Sequence, residues 1–181
     1  MRDVVKYRNF IRDGGLTVSG GEPLLQAEFV AALFANAQRS GLHTALDTSG
    51  FRGDVAPEAL LDHTDLVLLD IKSWDRATYK RVTGVAIDST LAFARRLEQR
   101  GIAVWVRFVF VPGLTDDQAN VEGLARFVST LTNVQRVQVL PFHKLAAYKY
   151  QQLGIQFRLE ETPTPTPEQL AKARAAFHAH G

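Results

Sequence analysis

Gly14-Gly15-Leu16-Thr17-Val18-Ser19-Gly20-Gly21-Glu22-Pro23 is the stretch on which the reading of this chain turns. Leu16 to Ser19 reads as a short buried strand that runs straight into two glycines and an acid, and a helix follows from about Gln26. Adjacent glycines after a strand let the backbone approach a ligand and adopt positive φ at no steric cost. In α/β proteins, ligands sit at the carboxyl ends of the strands. The turn is therefore a candidate wall of a binding site, although strand–Gly–Gly–helix turns also serve as plain connectors.

The same alternation continues downstream. A helix over Gln26 to Ser40 buries Phe29, Val30, Leu33, Phe34 and Ala37, and Gly41 ends it. Strands follow at Thr44 to Asp47, Leu66 to Ile71, Ala103 to Val111 and Val134 to Leu140. The third, Leu66-Val67-Leu68-Leu69-Asp70-Ile71, is a near-continuous apolar run, as expected for a strand buried on both faces. Helices are expected at Pro57 to Asp62, around Arg76 to Val82, at Thr90 to Arg100 and at Asp116 to Leu131. Another helix is expected upstream over residues 2–13, ended by Gly14. A last helix starts at Pro167, with Thr166 as N-cap and Gln169 in the capping-box position. Before it lies a long connection from Phe142, ending in the stiff spacer Thr162-Pro163-Thr164-Pro165-Thr166-Pro167. Five strand–helix alternations imply a parallel sheet, either open or curved toward a barrel.

Length and composition set bounds. The 181 residues fit one domain spanning 1–181, and 46% hydrophobic content is enough for a core. A net charge of +2 offers no broad basic surface for nucleic acid. No stretch approaches the roughly 20 apolar residues of a membrane span, and the opening residues do not read as a signal peptide. The expectation is a cytoplasmic protein without membrane or nucleic-acid partners. The chain contains no cysteine, which excludes a disulfide, a catalytic thiolate or a thiolate-bound metal made by these residues alone.

Polar groups gather at the strand ends: Ser19, Gly20, Gly21 and Glu22; Asp47 and Thr48; Asp70 and Lys72; Arg107; and His143. Three carboxylates, two cations and a histidine at one end of a parallel sheet suit a zwitterionic ligand. Its carboxylate would meet Lys72 or Arg107, and its ammonium Glu22, Asp47 or backbone carbonyls. Each residue also has a plain structural use. Asp47 and Asp70 read equally as turn caps, Glu22 as a helix N-terminal acid, Lys72 as a solvated side chain. Arg107, in a strand of apolar neighbours, needs an acidic partner or an anionic ligand, because an unpaired charge there is costly.

Together the motifs Val5-Lys6-Tyr7-Arg8-Asn9-Phe10, Gly15-Leu16-Thr17-Val18-Ser19-Gly20-Gly21-Glu22, Leu46-Asp47-Thr48-Ser49-Gly50, Leu69-Asp70-Ile71-Lys72, Val104-Trp105-Val106-Arg107, Val111-Pro112-Gly113 and Leu140-Pro141-Phe142-His143 carry a resemblance. The chain resembles the radical SAM activating enzymes of glycyl-radical enzymes, those of the pyruvate formate-lyase type in particular. The GGE turn alone is shared across radical SAM proteins; the full set in this order points to the activating enzymes.

The resemblance implies a partial (β/α)6 TIM-like barrel of the radical SAM type, here lacking its first strand and its three-cysteine loop. It implies S-adenosylmethionine as cofactor and, in the full-length family, a [4Fe–4S] cluster fed by a donor such as flavodoxin or ferredoxin. One electron cleaves the sulfonium C–S bond, and the adenosyl radical takes hydrogen from a glycine of the partner enzyme. By the same resemblance, Gly20, Gly21 and Glu22 line the amino group of the cofactor, and Asp70, Ile71, Lys72 and His143 contact it, with Asp47 and Arg107 beside it. Asp47, Thr48, the carbonyl of Leu68 and Asp70 resemble a small monovalent-cation site. Two other readings stand beside this one: a non-catalytic module that binds S-adenosylmethionine or a partner loop, and an aldolase-like barrel using Lys72 as a Schiff base.

Overall fold

Five parallel strands run in sequence order across one sheet: β1 (Gly15–Val18), β2 (His43–Thr48), β3 (Leu66–Asp70), β4 (Ala103–Phe110) and β5 (Val134–Pro141). The computed structural model describes residues 14–180. The helix expected over residues 2–13 lies outside them. Seven helices are described: α1 (Ala27–Arg39), α2 (Glu58–Leu61), α3 (Arg76–Thr83), α4 (Asp88–Gln99), α5 (Gln118–Ser129), α6 (Ala147–Gln152) and α7 (Pro167–His178).

Sequential strand order decides between the open and the curved sheet. Right-handed crossovers between neighbouring parallel strands place every connecting helix on the same side. A doubly wound sheet needs a reversal of order that is absent here. Burial follows suit. Val67 and Leu69 of β3 and Val104, Val106 and Phe108 of β4 are buried against Phe34, Leu60, Phe93, Leu97 and Leu124 from the helices. Their neighbours Leu68, Asp70, Trp105 and Arg107 are only half-buried on the opposite, inner face. This corrects the expectation that β3 is buried on both faces. The run of apolar letters is continuous, but the side chains alternate and only one side is roofed by helices.

The expected elements otherwise follow the sequence pattern within one or two residues, whereas α6 and the 3-10 turn Lys144–Ala146 fall inside the connection from Phe142, where no element was expected. Thr166 accepts from the Gln169 N–H at 3.2 Å, and the Gln169 side chain accepts from the Thr166 N–H at 2.8 Å, completing the capping box at the start of α7. Phe29 departs from expectation. It is 65% exposed, because Val30, Ala31, Phe34 and Ala37 fill the contact of α1 with the sheet and Phe29 falls beyond it.

The inner face is graded along the strands. Toward their amino ends it holds a cleft of about 490 Å³ walled by Ala45, Leu66, Leu68, Ala103 and Trp105. Toward the carboxyl ends it becomes charged. No described helix is long and apolar enough to cross a membrane.

Candidate functional site

Asp47 near the end of β2, Asp70 closing β3 and Arg107 in β4 all project onto the inner face, since Asp47 is in register with Leu68 and Asp70 with Arg107. The Arg107 guanidinium bridges the two acids, donating from Nε to Asp70 Oδ1 at 2.7 Å and from Nη2 to Asp47 Oδ1. The second oxygen of Asp70 pairs with Lys72 Nζ at 2.7 Å. The second oxygen of Asp47 accepts from Ser19 Oγ at 2.9 Å, just past β1. A ladder Ser19–Asp47–Arg107–Asp70–Lys72 thus spans four strands with charges of alternating sign. Burial alone would push Arg107 down, but hydrogen bonds and charge from Asp70 and Asp47 hold it above its ordinary value. The arginine has found its acidic partners within the chain.

Glu22 is used differently. Its Oε1 accepts from the Leu24 N–H at 3.1 Å and from Thr48 Oγ1; its Oε2 accepts from the Ser49 N–H at 3.0 Å and from Ser49 Oγ. Both oxygens are therefore occupied. Glu22 caps the short 3-10 turn Pro23–Gln26 and pins it to the turn after β2. That second turn is held from behind by the Ser49 carbonyl, which accepts from Thr90 Oγ1 at 2.9 Å, and Thr90 in turn meets the hydroxyl of fully buried Tyr79 at 2.8 Å. Burial pushes the Tyr79 hydroxyl up, partly offset by its bond to Thr90 and reinforced by the charges of Glu22 and Asp70.

The remaining expected residues fall into three settings. Gly20 and Gly21 are exposed at the mouth, Gly20 with φ 134°, and a side chain at either would meet nothing within 4 Å. Ile71 is fully buried; its N–H donates to the Arg107 carbonyl at 3.0 Å, so its side chain belongs to the core. His143 is exposed at the end of β5, where it starts the 3-10 turn Lys144–Ala146. Thr48 is buried and turns away from Asp47, its hydroxyl donating to Glu22 and accepting from the Gly50 N–H at 3.0 Å. Among the described residues, no group of three or more His, Cys, Asp or Glu side chains converges as a metal site.

The sequence reading quoted Ser49 but gave it no role, and it missed Thr90 and Tyr79. Nothing in a Thr on α4 or a Tyr on α3 signals that it backs a turn on another strand. A position two residues beyond a catalytic-looking acid is visible; a contact between elements 41 residues apart is not.

Residues 1–125 match the family description "Radical SAM superfamily". The chain is 37% identical over 185 residues to the pyruvate formate-lyase 1-activating enzyme of Escherichia coli (strain K12), covering all of this chain and 75% of that one. The chain belongs to the radical SAM superfamily, in the family of the pyruvate formate-lyase activating enzymes. The pyruvate formate-lyase-activating enzyme of Streptococcus mutans is 42% identical over 98% of this chain and 70% of its own length. The solved structure of a domain of pyruvate-formate lyase-activating enzyme from Bacteroides vulgatus superimposes with a TM-score of 0.77 at 23% identity, over 93% of this chain and 95% of that one. That likeness carries the fold: an open, incomplete barrel of the radical SAM type. As a radical SAM enzyme chain it is oxidoreductase-like in class, and the carboxyl-end ladder lies where ligands gather in such barrels.

Proposed function

We propose that this chain supplies the S-adenosylmethionine-binding sheet for activation of a glycyl-radical enzyme of the pyruvate formate-lyase type, in which one-electron cleavage of that cofactor and hydrogen abstraction from a partner glycine would draw on a [4Fe–4S] cluster that these 181 residues do not themselves ligate. In that role, the strand-end ladder holds the S-adenosylmethionine. The observation that carries the reading is the alternating ladder Asp47–Arg107–Asp70–Lys72 at the carboxyl ends of a radical SAM sheet. The partner class comes from the names of the relatives.

The donor set fits the ligand. S-adenosylmethionine carries an ammonium, a carboxylate and a sulfonium, for a net charge of +1. Two acids and two bases in the ladder cancel, and Glu22 leaves the site at net −1. Lys72, about a third exposed, offers a cation to a carboxylate or ribose oxygen. The open Gly20–Gly21 backbone offers carbonyls to an amino group, with Glu22 holding that turn in place. His143 at the rim and the backbone of Ile71 complete the set. A small cation beside the ligand would draw on Asp47, Thr48, the Leu68 carbonyl and Asp70, in competition with Arg107 for the two carboxylates. When bound, S-adenosylmethionine supplies the bond that is cleaved; these residues orient it and exclude water. A [4Fe–4S] cluster does not fit the residues present, because thiolates are its ligands and the 181 residues include no cysteine. No step of it is assigned to this chain.

Titration calorimetry with S-adenosylmethionine tests the reading. Lys72→Ala should weaken binding by roughly 1–3 kcal/mol, about 5- to 150-fold, for a lost charge-assisted contact. Equal affinity for wild type, Lys72→Ala and Asp70→Asn would remove the ladder from the ligand site. Anaerobic incubation with iron and sulfide should leave the chain without stoichiometric iron; a brown protein with bound iron would contradict the ligand argument. The cysteine-free composition favours a second reading, a module that binds S-adenosylmethionine or a partner without redox chemistry. A glycyl radical seen by paramagnetic resonance in a mixture with pyruvate formate-lyase and a reductant would reject it.

A further inference from the structure

The segment that leaves β5 differs from the rest of the surface. Among the described residues, nine large apolar side chains are exposed, and five of them lie between positions 145 and 155: Leu145 (79%), Tyr148 (63%), Tyr150, Leu153 (72%) and Ile155. This concentration is not slack chain. Phe142, buried at the strand end, stacks on Phe157 at 6.5 Å between ring centres, and Tyr150 lies 5.2 Å from the same Phe157 ring. The Ile155 N–H donates to the Tyr150 carbonyl at 2.9 Å, and Lys144 Nζ is bonded to the Glu160 carbonyl. The strap is fastened on its inner side while Leu145, Tyr148 and Leu153 are presented outward.

Its charge is one-sided. Lys144, Lys149 and Arg158 fall between Phe142 and Leu159 with no Asp or Glu among them. Its place is also specific, because His143 connects it directly to the carboxyl end of β5, on the rim of the ladder. Apolar side chains held out to water are costly unless something covers them, and outward Leu and Tyr groups interspersed with positive charge up to Arg158, before Glu160 and Glu161 follow, are what a protein partner of opposite sign would engage.

We propose that residues 142–158 form the docking lip for the protein partner, taking an apolar segment flanked by acidic residues beside the reacting glycine. This rests on the activation reading above and names the surface that delivers the glycine to the site.

The test uses the full chain with purified pyruvate formate-lyase as the probe, by surface plasmon resonance, alongside S-adenosylmethionine calorimetry. Two double variants are needed: Leu145→Ser with Leu153→Ser, and Lys149→Glu with Arg158→Glu. Each should weaken partner binding by about tenfold or more and leave S-adenosylmethionine affinity and melting temperature unchanged. The loss in the charge variant should shrink as salt rises. If wild type binds the partner and both variants bind it equally well, the lip is overturned while the activation reading stands. If wild type does not bind it at all, both fail. If the variants instead abolish self-association in light scattering, or release the chain from phosphatidylglycerol vesicles, with partner binding unchanged, the lip belongs to a second copy or to a lipid surface and the proposal is wrong.

Discussion

Arg107 lends one guanidinium to carboxylates on two different strands, and each of the three side chains keeps about a fifth of its surface in water. Removing it strands two acids side by side. Breaking a buried pair costs about 3–5 kcal/mol, and partial solvent access lowers that. Arg107→Met should cost about 2 kcal/mol in urea unfolding, and adding Asp47→Asn with Asp70→Asn should return part of it. Arg107→Lys should lose less than Met, but more than nothing, because a point charge does not span both acids as the planar fork does. At this scale the sequence was informative about Arg107, since a charge among apolar strand residues demands a partner. Glu22 was open to two readings, a ligand group and a helix N-terminal acid; its oxygens cap the Leu24 amide and are met by Thr48 and Ser49. Thr48 and Ser49 lie 26 and 27 residues downstream, and no local pattern announces them.

Between elements, two contacts make sharp predictions. Gly123 of α5 faces Trp74, and a Cβ there would fall 2.1 Å from its Cδ1. Trp74 is itself stacked on Phe127, 5.7 Å between ring centres, and its backbone N–H donates to Asn120 Oδ1 at 2.7 Å. With the Trp74 backbone tied and its ring stacked, Gly123→Ala should destabilise by about 1–3 kcal/mol despite its better helix propensity, read from the urea midpoint. Asp65 joins the starts of β2 and β3. Burial pushes its carboxyl up, but bonds from the Thr44 N–H and hydroxyl and from Gln38, with the charge of His43, outweigh that and hold it below the ordinary 3.8. A lowered carboxyl contributes stability above its unfolded value that is lost as pH falls through the folded one. Urea midpoints should drop as pH falls below about 4, and Asp65→Asn should flatten part of that slope. Helix and strand identities were legible from periodicity here; which face of a strand is open was not, because Leu68 and Leu69 are the same letter and only strand order decides which one meets the helices.

For the molecule as a whole, the strands should differ in how readily they open. β1 has four residues, pairs only with β2 among the described residues, and is no more than half-buried on either face. β3 and β4 are flanked on both edges and roofed by helices. Amide exchange should be slowest at Val67, Leu69 and Val104 to Phe108, and fastest among strand amides at Leu16 to Val18. Protection of β1 equal to that of β4 would mean that its outer edge, unpaired among the described residues, is covered.

The alternating signs along the ladder also bear on how a ligand is found. A row of minus, plus, minus, plus has almost no monopole, so its field falls off within a few ångströms and does not reach through the roughly 8 Å ionic atmosphere of physiological salt. Such an array exerts little pull on a charged molecule in solution, yet discriminates strongly among molecules already in contact with it. Raising the salt from 50 to 500 mM should therefore change the affinity for S-adenosylmethionine by only about twofold to threefold, far less than for a site built on a block of one charge. In the proposed binding role, the ladder acts as a close-range reader of charge order rather than as a long-range attractor.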